Sequence, residues 1–218
     1  MSTPRKIPRQ QRSEFTFDAI LDAAARLFQQ HGYAATTTNK IAELAGVSIG
    51  TLYHYVPDKD ALLYSLAERH LRHASQALLE TAGRLRAEQP PLVDTIRQLV
   101  VAVTRLHTAQ PEMHRLLFDQ APRTAAGVER LRQLERVLAD EVEFHLRRLE
   151  VGGDDPGLTA LLLVQAVEAQ IHGAVLDPPP GRTADECGRA IIDLWTRALT
   201  PPADPGRAAA ESSRIGHQ

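Results

Sequence analysis

Thr36-Thr37-Thr38-Asn39-Lys40-Ile41-Ala42-Glu43-Leu44-Ala45-Gly46-Val47-Ser48-Ile49-Gly50-Thr51-Leu52-Tyr53-His54-Tyr55 spells two short helices joined by a tight turn. The threonines offer a cap, because a hydroxyl can accept from the orphan amides of a first helical turn. Ile41, Ala42, Leu44 and Ala45 make a compact apolar face, small enough for close helix approach. Gly46 stands where a helix would end in a left-handed residue, a conformation glycine adopts without a Cβ penalty. Val47 then plugs the angle between the helices, and Ser48 caps the second.

At about 100° per residue the second helix can be phased on Leu52 as its innermost residue. Ile49, Tyr55 and Val56 then lie within about 60° of it, and Gly50, Thr51, Tyr53 and His54 face outward. A solvated helix face normally carries Lys, Glu or Arg. A glycine, a hydroxyl, a phenol and an imidazole suit a surface laid in a DNA major groove, where backbone can approach phosphate and side chains can donate to phosphates or base edges. The plainer alternative is an exposed helix pair in some other all-α protein.

With their flanks, these residues resemble the TetR family of transcriptional regulators. The match runs from about Phe17 to Leu63. It takes in Leu27-Phe28-Gln29-Gln30-His31-Gly32-Tyr33, the stretch Ile41-Ala42-Glu43-Leu44-Ala45-Gly46-Val47-Ser48, then Gly50-Thr51-Leu52-Tyr53-His54-Tyr55 and Lys59-Asp60-Ala61-Leu62-Leu63. Two positions depart from the common pattern: Ile49, where a polar or basic residue is frequent, and Val56, where Phe is usual. The resemblance implies an all-α chain of about nine helices, with an N-terminal three-helix helix-turn-helix DNA-binding domain and a C-terminal helical ligand-binding and dimerisation domain. It also implies that the start of the fourth helix touches DNA while its far end reaches the ligand domain, so that this helix acts as a lever. A small-molecule effector in the C-terminal domain would favour a state whose recognition helices are wrongly spaced.

Composition is compatible with that. At 218 residues, 43% hydrophobic and 24% charged, the chain is an ordinary globular one with length enough for a real core. A formal net charge of −2 speaks against nucleic acid until its distribution is considered. Arg5, Lys6, Arg9 and Arg12 put four positive charges in the first twelve residues, with no acid among them. Residues 1–14 are thus expected to be a flexible basic arm for phosphate or minor groove, the alternative being a solubilising tail. The single cysteine, Cys187, excludes an internal disulfide and fits a reducing cytoplasm. The basic start lacks an apolar signal-peptide core. Leu158–Leu176, the most apolar stretch, is interrupted by Gln165, Glu168, Gln170 and His172, too polar for an uninterrupted membrane span. The expectation is a cytoplasmic protein with no membrane partner.

Residues 15–60 are expected to form the helix-turn-helix domain, whose first helix presents Phe17, Ile20, Leu21, Ala24, Leu27 and Phe28 at helical spacing. Pro57 and Asp58 break the chain, and Asp58 can cap a long fourth helix running to about Arg86. Residues 61–199 are assigned to ligand binding and dimerisation, and residues 200–218 to a disordered tail. Prolines at 90, 91, 111 and 122 punctuate helices over about 92–108, 111–121 and 125–149. Leu158–Leu176 is apolar nearly all round, and a last helix runs from about Ala184 to Leu199. A helix without a polar stripe is covered on more than one side. In a chain this size the second cover is expected to be another copy, in a two-fold four-helix bundle through Leu161, Val164, Ile191, Leu194, Trp195 and Ala198. A wholly internal core helix is the alternative.

Chemical motifs are few. Gly46-Val47-Ser48-Ile49-Gly50 fits the nucleophile-elbow pattern, but that motif needs a buried strand before the serine, and here a helix precedes it. Histidines pair at helical spacing (His70/His73, Glu141/His145, Glu168/His172), and His107 and His114 lie two turns apart. The Glu-x-x-His tetrad of a di-metal bundle is missing, so they are read as hydrogen-bonders, with no metal, cofactor or catalytic residue expected. Polar groups on apolar helices either bridge helices or orient a ligand. On that basis Leu106, His107, Met113, Leu117, Phe118, Phe144, His145, Glu168 and His172 are candidate effector contacts.

The resulting expectation is a homodimer on a palindromic operator in double-stranded DNA, repressing until an effector releases it. Thr37, Thr38, Lys40, Ser48, Ile49, Gly50, Thr51, Tyr53, His54 and Lys59 would carry the contacts. Lys40, Lys59 and the arm hold phosphate; Thr51, Tyr53 and Ile49 read bases. An all-α enzyme, or an adaptor with a helix-turn-helix domain that does not bind DNA, is the rival.

Overall fold

Nine α-helices account for nearly all the backbone of the computed structural model, which describes residues 9–121 and 124–200, with side chains from Ser13 onward. They are α1 (Arg9–His31), α2 (Thr38–Leu44), α3 (Ile49–Tyr55), α4 (Lys59–Glu88), α5 (Leu92–Thr108), α6 (Pro111–Gln120), α7 (Ala125–Arg148), α8 (Pro156–Gln170) and α9 (Ala184–Leu199). A π-helical turn, Ile171–Val175, extends α8 and is closed by the Leu176 amide donating to Ile171 at 3.0 Å. No strand occurs among the described residues.

Local chemistry sets most boundaries. The Asp58 carboxylate accepts from the Ala61 amide at 2.8 Å and starts α4, and Asp155 does the same for Leu158 at 3.0 Å at the head of α8. Thr183 and Glu186 form a reciprocal capping box for α9. One expectation fails at the front: α1 begins at Arg9, so residues 9–14 are helical where an arm was foreseen. Gln10, Gln11 and Arg12 favour helix, and no proline or glycine follows Pro8 until Gly32. The charges at Arg5 and Lys6, and the tail beyond Thr200, lie outside the described residues.

The described residues pack as two units, those within 9–80 and 103–134 and those within 81–102 and 135–200. The expected division after residue 60 therefore falls inside the first unit. That unit's core is built on Ile20, Leu21, Ala24, Leu27 and Phe28 of α1, with Ile41, Leu52, Val56, Leu62, Leu63 and Leu66. α6 packs on α1, and its Met113 and Leu117 complete the same core. These two were expected to line an effector pocket; instead they close the core of the first unit, because the apolar stripe of α6 meets the open side of α1. In the second unit α9 packs on α8 and on the π turn. By length and composition alone, Pro156–Val175 would suffice to cross a membrane, a test that the core helix of a soluble protein also passes.

Candidate nucleic-acid interface

The head is assembled from caps and clamps. Thr37 caps α2 by accepting from the Lys40 amide at 3.3 Å, and Ser48 caps α3 by accepting from the Thr51 amide at 3.0 Å. Gly46, at φ +68°, makes the left-handed turn between them. Thr36 is buried, its hydroxyl donating toward the carbonyls of Gly32 (2.8 Å) and Leu27 (3.1 Å), which fixes the loop between α1 and α2. Leu52 and Val56 are buried in the core, and Tyr55 stacks on Phe17 with ring centroids 5.8 Å apart.

What remains outside is the face foreseen from the phasing of α3. Tyr53 is 52% exposed, His54 and Gly50 are exposed, and Lys40 projects from α2. The Tyr53 and Thr38 hydroxyls lie 3.1 Å apart, so α2 holds the phenol in place. A Cβ added at Gly50 would meet nothing nearer than Ser48 Oγ at 3.8 Å; the fold itself makes no demand for glycine there. Thr51 is half-buried, with its hydroxyl 2.8 Å from Ser48 Oγ.

Two residues sit differently from expectation. Ile49 was phased inward but is 38% exposed, because it opens a seven-residue helix whose first turn nothing covers. That leaves its methyls free for a partner. Lys59 was placed on a phosphate, yet its ammonium donates to the carbonyls of Tyr33 (2.6 Å) and Thr36 (3.1 Å) and lies 4.2 Å from the Tyr33 ring centre. Tyr33 in turn donates to the Asp60 carboxylate, and burial followed by that bond raises its pKa. Lys59 thus ties the start of α4 to the loop after α1.

The candidate effector residues divide between the units. In the first, Met113 and Leu117 are core, Leu106 is half-buried, Phe118 is 52% exposed, and buried His107 lies with Nδ1 2.8 Å from the Val103 carbonyl. In the second, Glu168 and His172 pair at 3.3 Å across one turn, and the Arg86 guanidinium lies over the half-buried Phe144 ring, 3.9 Å from its centre. His145 is 2% exposed; its Nδ1 faces Arg148 at 3.2 Å, and its Nε2 has no protein partner. A separate cleft in the second unit, of about 820 Å³, is lined by Arg147, Val151, Thr159 and Leu199 among others. None of the effector candidates lines it, and it is half-open rather than an enclosed cavity.

Burial, and then the Arg148 guanidinium, hold the His145 pKa below its ordinary value; Arg86 adds to this and Glu141 opposes it. Between that lowered value and about 6.5 the unfolded chain binds more protons than the folded one, so stability falls as pH drops through this window. Thermal unfolding followed from pH 7.5 to 5 should show a falling midpoint, and His145→Leu should flatten the slope. An unchanged slope in the variant would exclude His145 as the cause.

The candidate dimer residues are likewise mixed. Ile191 is buried within its own unit, and the half-buried Trp195 indole donates to Gln170 Oε1 at 3.0 Å, bridging α9 to α8. Leu161 and Val164 are half-buried, while Leu194 (46%) and Ala198 are exposed. Leu158 and Leu162 were not foreseen, and each is 53% exposed. In a helix apolar all round, the sequence carries no phase to distinguish them.

Residues 20–66 match the signature of bacterial regulatory proteins of the tetR family, and residues 91–199 match the tetracyclin repressor-like C-terminal domain. The HTH-type transcriptional repressor Rv1474c of Mycobacterium tuberculosis is 28% identical over 173 residues, covering 72% of this chain and 87% of that protein. A TetR/AcrR-family regulator from Thermobifida fusca superposes with a TM-score of 0.68 at 22% identity, over 85% of this chain and 98% of that one. SmeT, the repressor of the Stenotrophomonas maltophilia multidrug efflux pump SmeDEF, gives 0.60 at 23%, over 86% and 91%.

Proposed function

The chain belongs to the TetR family of bacterial regulatory proteins, and from that premise we propose a cytoplasmic homodimer that represses from a palindromic operator. The observation that carries this is the surface of α3: Leu52 and Val56 bury one side while Ile49, Gly50, Tyr53 and His54 stand out on the other. Lys40 supplies the positive charge and is assigned to phosphate; Tyr53 and Ile49 are assigned to bases, the latter through a thymine methyl. Thr37, Ser48, Thr51 and Lys59 have structural work in the head, so their assignment is to position the face and, where a proton remains free, to touch phosphate. Two such faces would enter successive major grooves about one helical turn apart.

The second copy is assigned to the apolar side of α8 and α9, where Leu158, Leu162 and Leu194 are left half open to water in a single chain. Release would follow from an effector that binds the wrongly spaced state more tightly, by a coupling of about 1–3 kcal/mol. SmeT, a structural neighbour, is known in complex with triclosan, which supports a small-molecule effector here too. This is a regulator rather than an enzyme.

Selection of bound fragments from random duplex DNA tests the proposal. Inverted repeats should be enriched, and log K for the winning duplex should fall steeply with log salt as phosphate contacts release counterions. Absence of enrichment at low salt, from a protein that stays monomeric, would refute it.

A further inference from the structure

We propose that Thr38 is a positioning residue that sets which bases Tyr53 can read, an assignment that rests on the repressor reading above. The Thr38 oxygen takes the proton of the Tyr53 hydroxyl. The phenol oxygen then meets DNA as an acceptor and selects a base that carries an amino group. The two hydroxyl oxygens lie 3.1 Å apart, and among the described residues the phenol has no other hydrogen-bond partner. Distance alone allows either oxygen to donate; the chemistry of the two groups sets the sense. A phenol is a stronger acid than an alcohol, and its oxygen shares a lone pair with the ring. It is therefore the better donor, and the threonine oxygen is the better acceptor.

Thr38 can impose this because it stands on a fixed support. Buried Thr36 donates its hydroxyl to the carbonyls of Gly32 (2.8 Å) and Leu27 (3.1 Å), and its own carbonyl accepts from the Lys59 ammonium at 3.1 Å. Thr37 is held by its cap on the Lys40 amide. Half-buried Thr38 follows as the first residue of α2, directly after these two pinned neighbours. On the other side, Tyr53 adjoins Leu52, which is fully buried and anchors α3 in the same core. Each hydroxyl is thus carried by a helix tied down independently of the bond between them.

A rule for the base follows. With its proton committed to Thr38, the phenol oxygen offers lone pairs and no hydrogen. In the major groove adenine N6 and cytosine N4 present hydrogens, whereas guanine O6 and N7 and thymine O4 present lone pairs. Tyr53 therefore favours adenine or cytosine at the position it reaches, and disfavours guanine or thymine. Without the Thr38 hydroxyl, the phenol proton turns to suit any base and the preference disappears.

The test is selection from random duplex DNA by the full chain, run with wild type, Thr38→Ser, Thr38→Val, Tyr53→Phe and the Thr38→Val/Tyr53→Phe pair. In each half-site wild type should show one position where adenine or cytosine is favoured by about threefold or more, and Tyr53→Phe should flatten it. Thr38→Val keeps the branched shape and loses the hydroxyl. It should flatten the same position and spare the others, with circular dichroism and dimer unchanged. Thr38→Ser should keep the wild-type preference. In the Tyr53→Phe background Thr38→Val should change nothing further, because the threonine acts through the phenol. Guanine or thymine at the position that Tyr53→Phe flattens, or a Thr38→Val preference identical to wild type, would overturn the assignment. So would a uniform loss across all duplexes that persists in the Tyr53→Phe background, which would make Thr38 a phosphate contact in its own right. Enrichment in which Tyr53→Phe flattens no position refutes the role of Thr38 alone. A wild type that enriches no duplex refutes the repressor reading and this role with it.

Discussion

Tyr53→Ala should weaken operator binding by at least about 30-fold while the dimer and the fold persist. A base-edge contact is worth about 1–3 kcal/mol, and two-fold symmetry removes it twice, for about 2–6 kcal/mol, with each 1.4 kcal/mol a factor of ten. Little of this can come from stability, since Tyr53 is half exposed and its hydroxyl meets only Thr38; exposed substitutions of this kind usually stay within about 0.5 kcal/mol. Tyr53→Phe separates two contributions, because it removes the hydroxyl and keeps the ring. Gel-shift titration and sedimentation read both variants. Undiminished binding by Tyr53→Ala would remove the outward face of α3 from the interface.

The pair Leu162→Glu with Leu194→Glu should yield a folded monomer. In an isolated chain both side chains are about half exposed, so the carboxylates are hydrated and the protomer core is untouched. In the proposed two-fold bundle each substitution occurs twice, and a buried charge without a partner costs about 3–5 kcal/mol. The loss of leucine burial, roughly 1.5–3 kcal/mol per side chain, adds to that. Operator affinity should then fall by about 10²–10⁴, because the second half-site is no longer bound from within the same molecule. Light scattering on the eluted peak, together with gel shift, measures both. A variant that remains dimeric would place the two-fold contact elsewhere.

Sequence and structure agree where the controlling chemistry is local. The bounds of α9, the capping of α2, α3 and α4, and the inward position of Leu52 depend on residues within a turn of one another. Gly46 belongs with them, since its left-handed φ is a property of one backbone unit. The reading failed where a side chain has two equally good destinations. A lysine in a first turn looks the same whether it reaches a phosphate or, like Lys59, two carbonyls of its own chain. The stripe of Met113 and Leu117 announces burial but not against what.

The membership of α6 in the core beneath α1 has a bearing on how the protein can be taken apart. Cut after residue 66, the DNA reader would lose the two plugs that stop its floor, and the greasy socket left behind would seek another chain. The reader is thus no detachable bead on a string. Whatever shifts α6 is felt directly by the part that meets DNA.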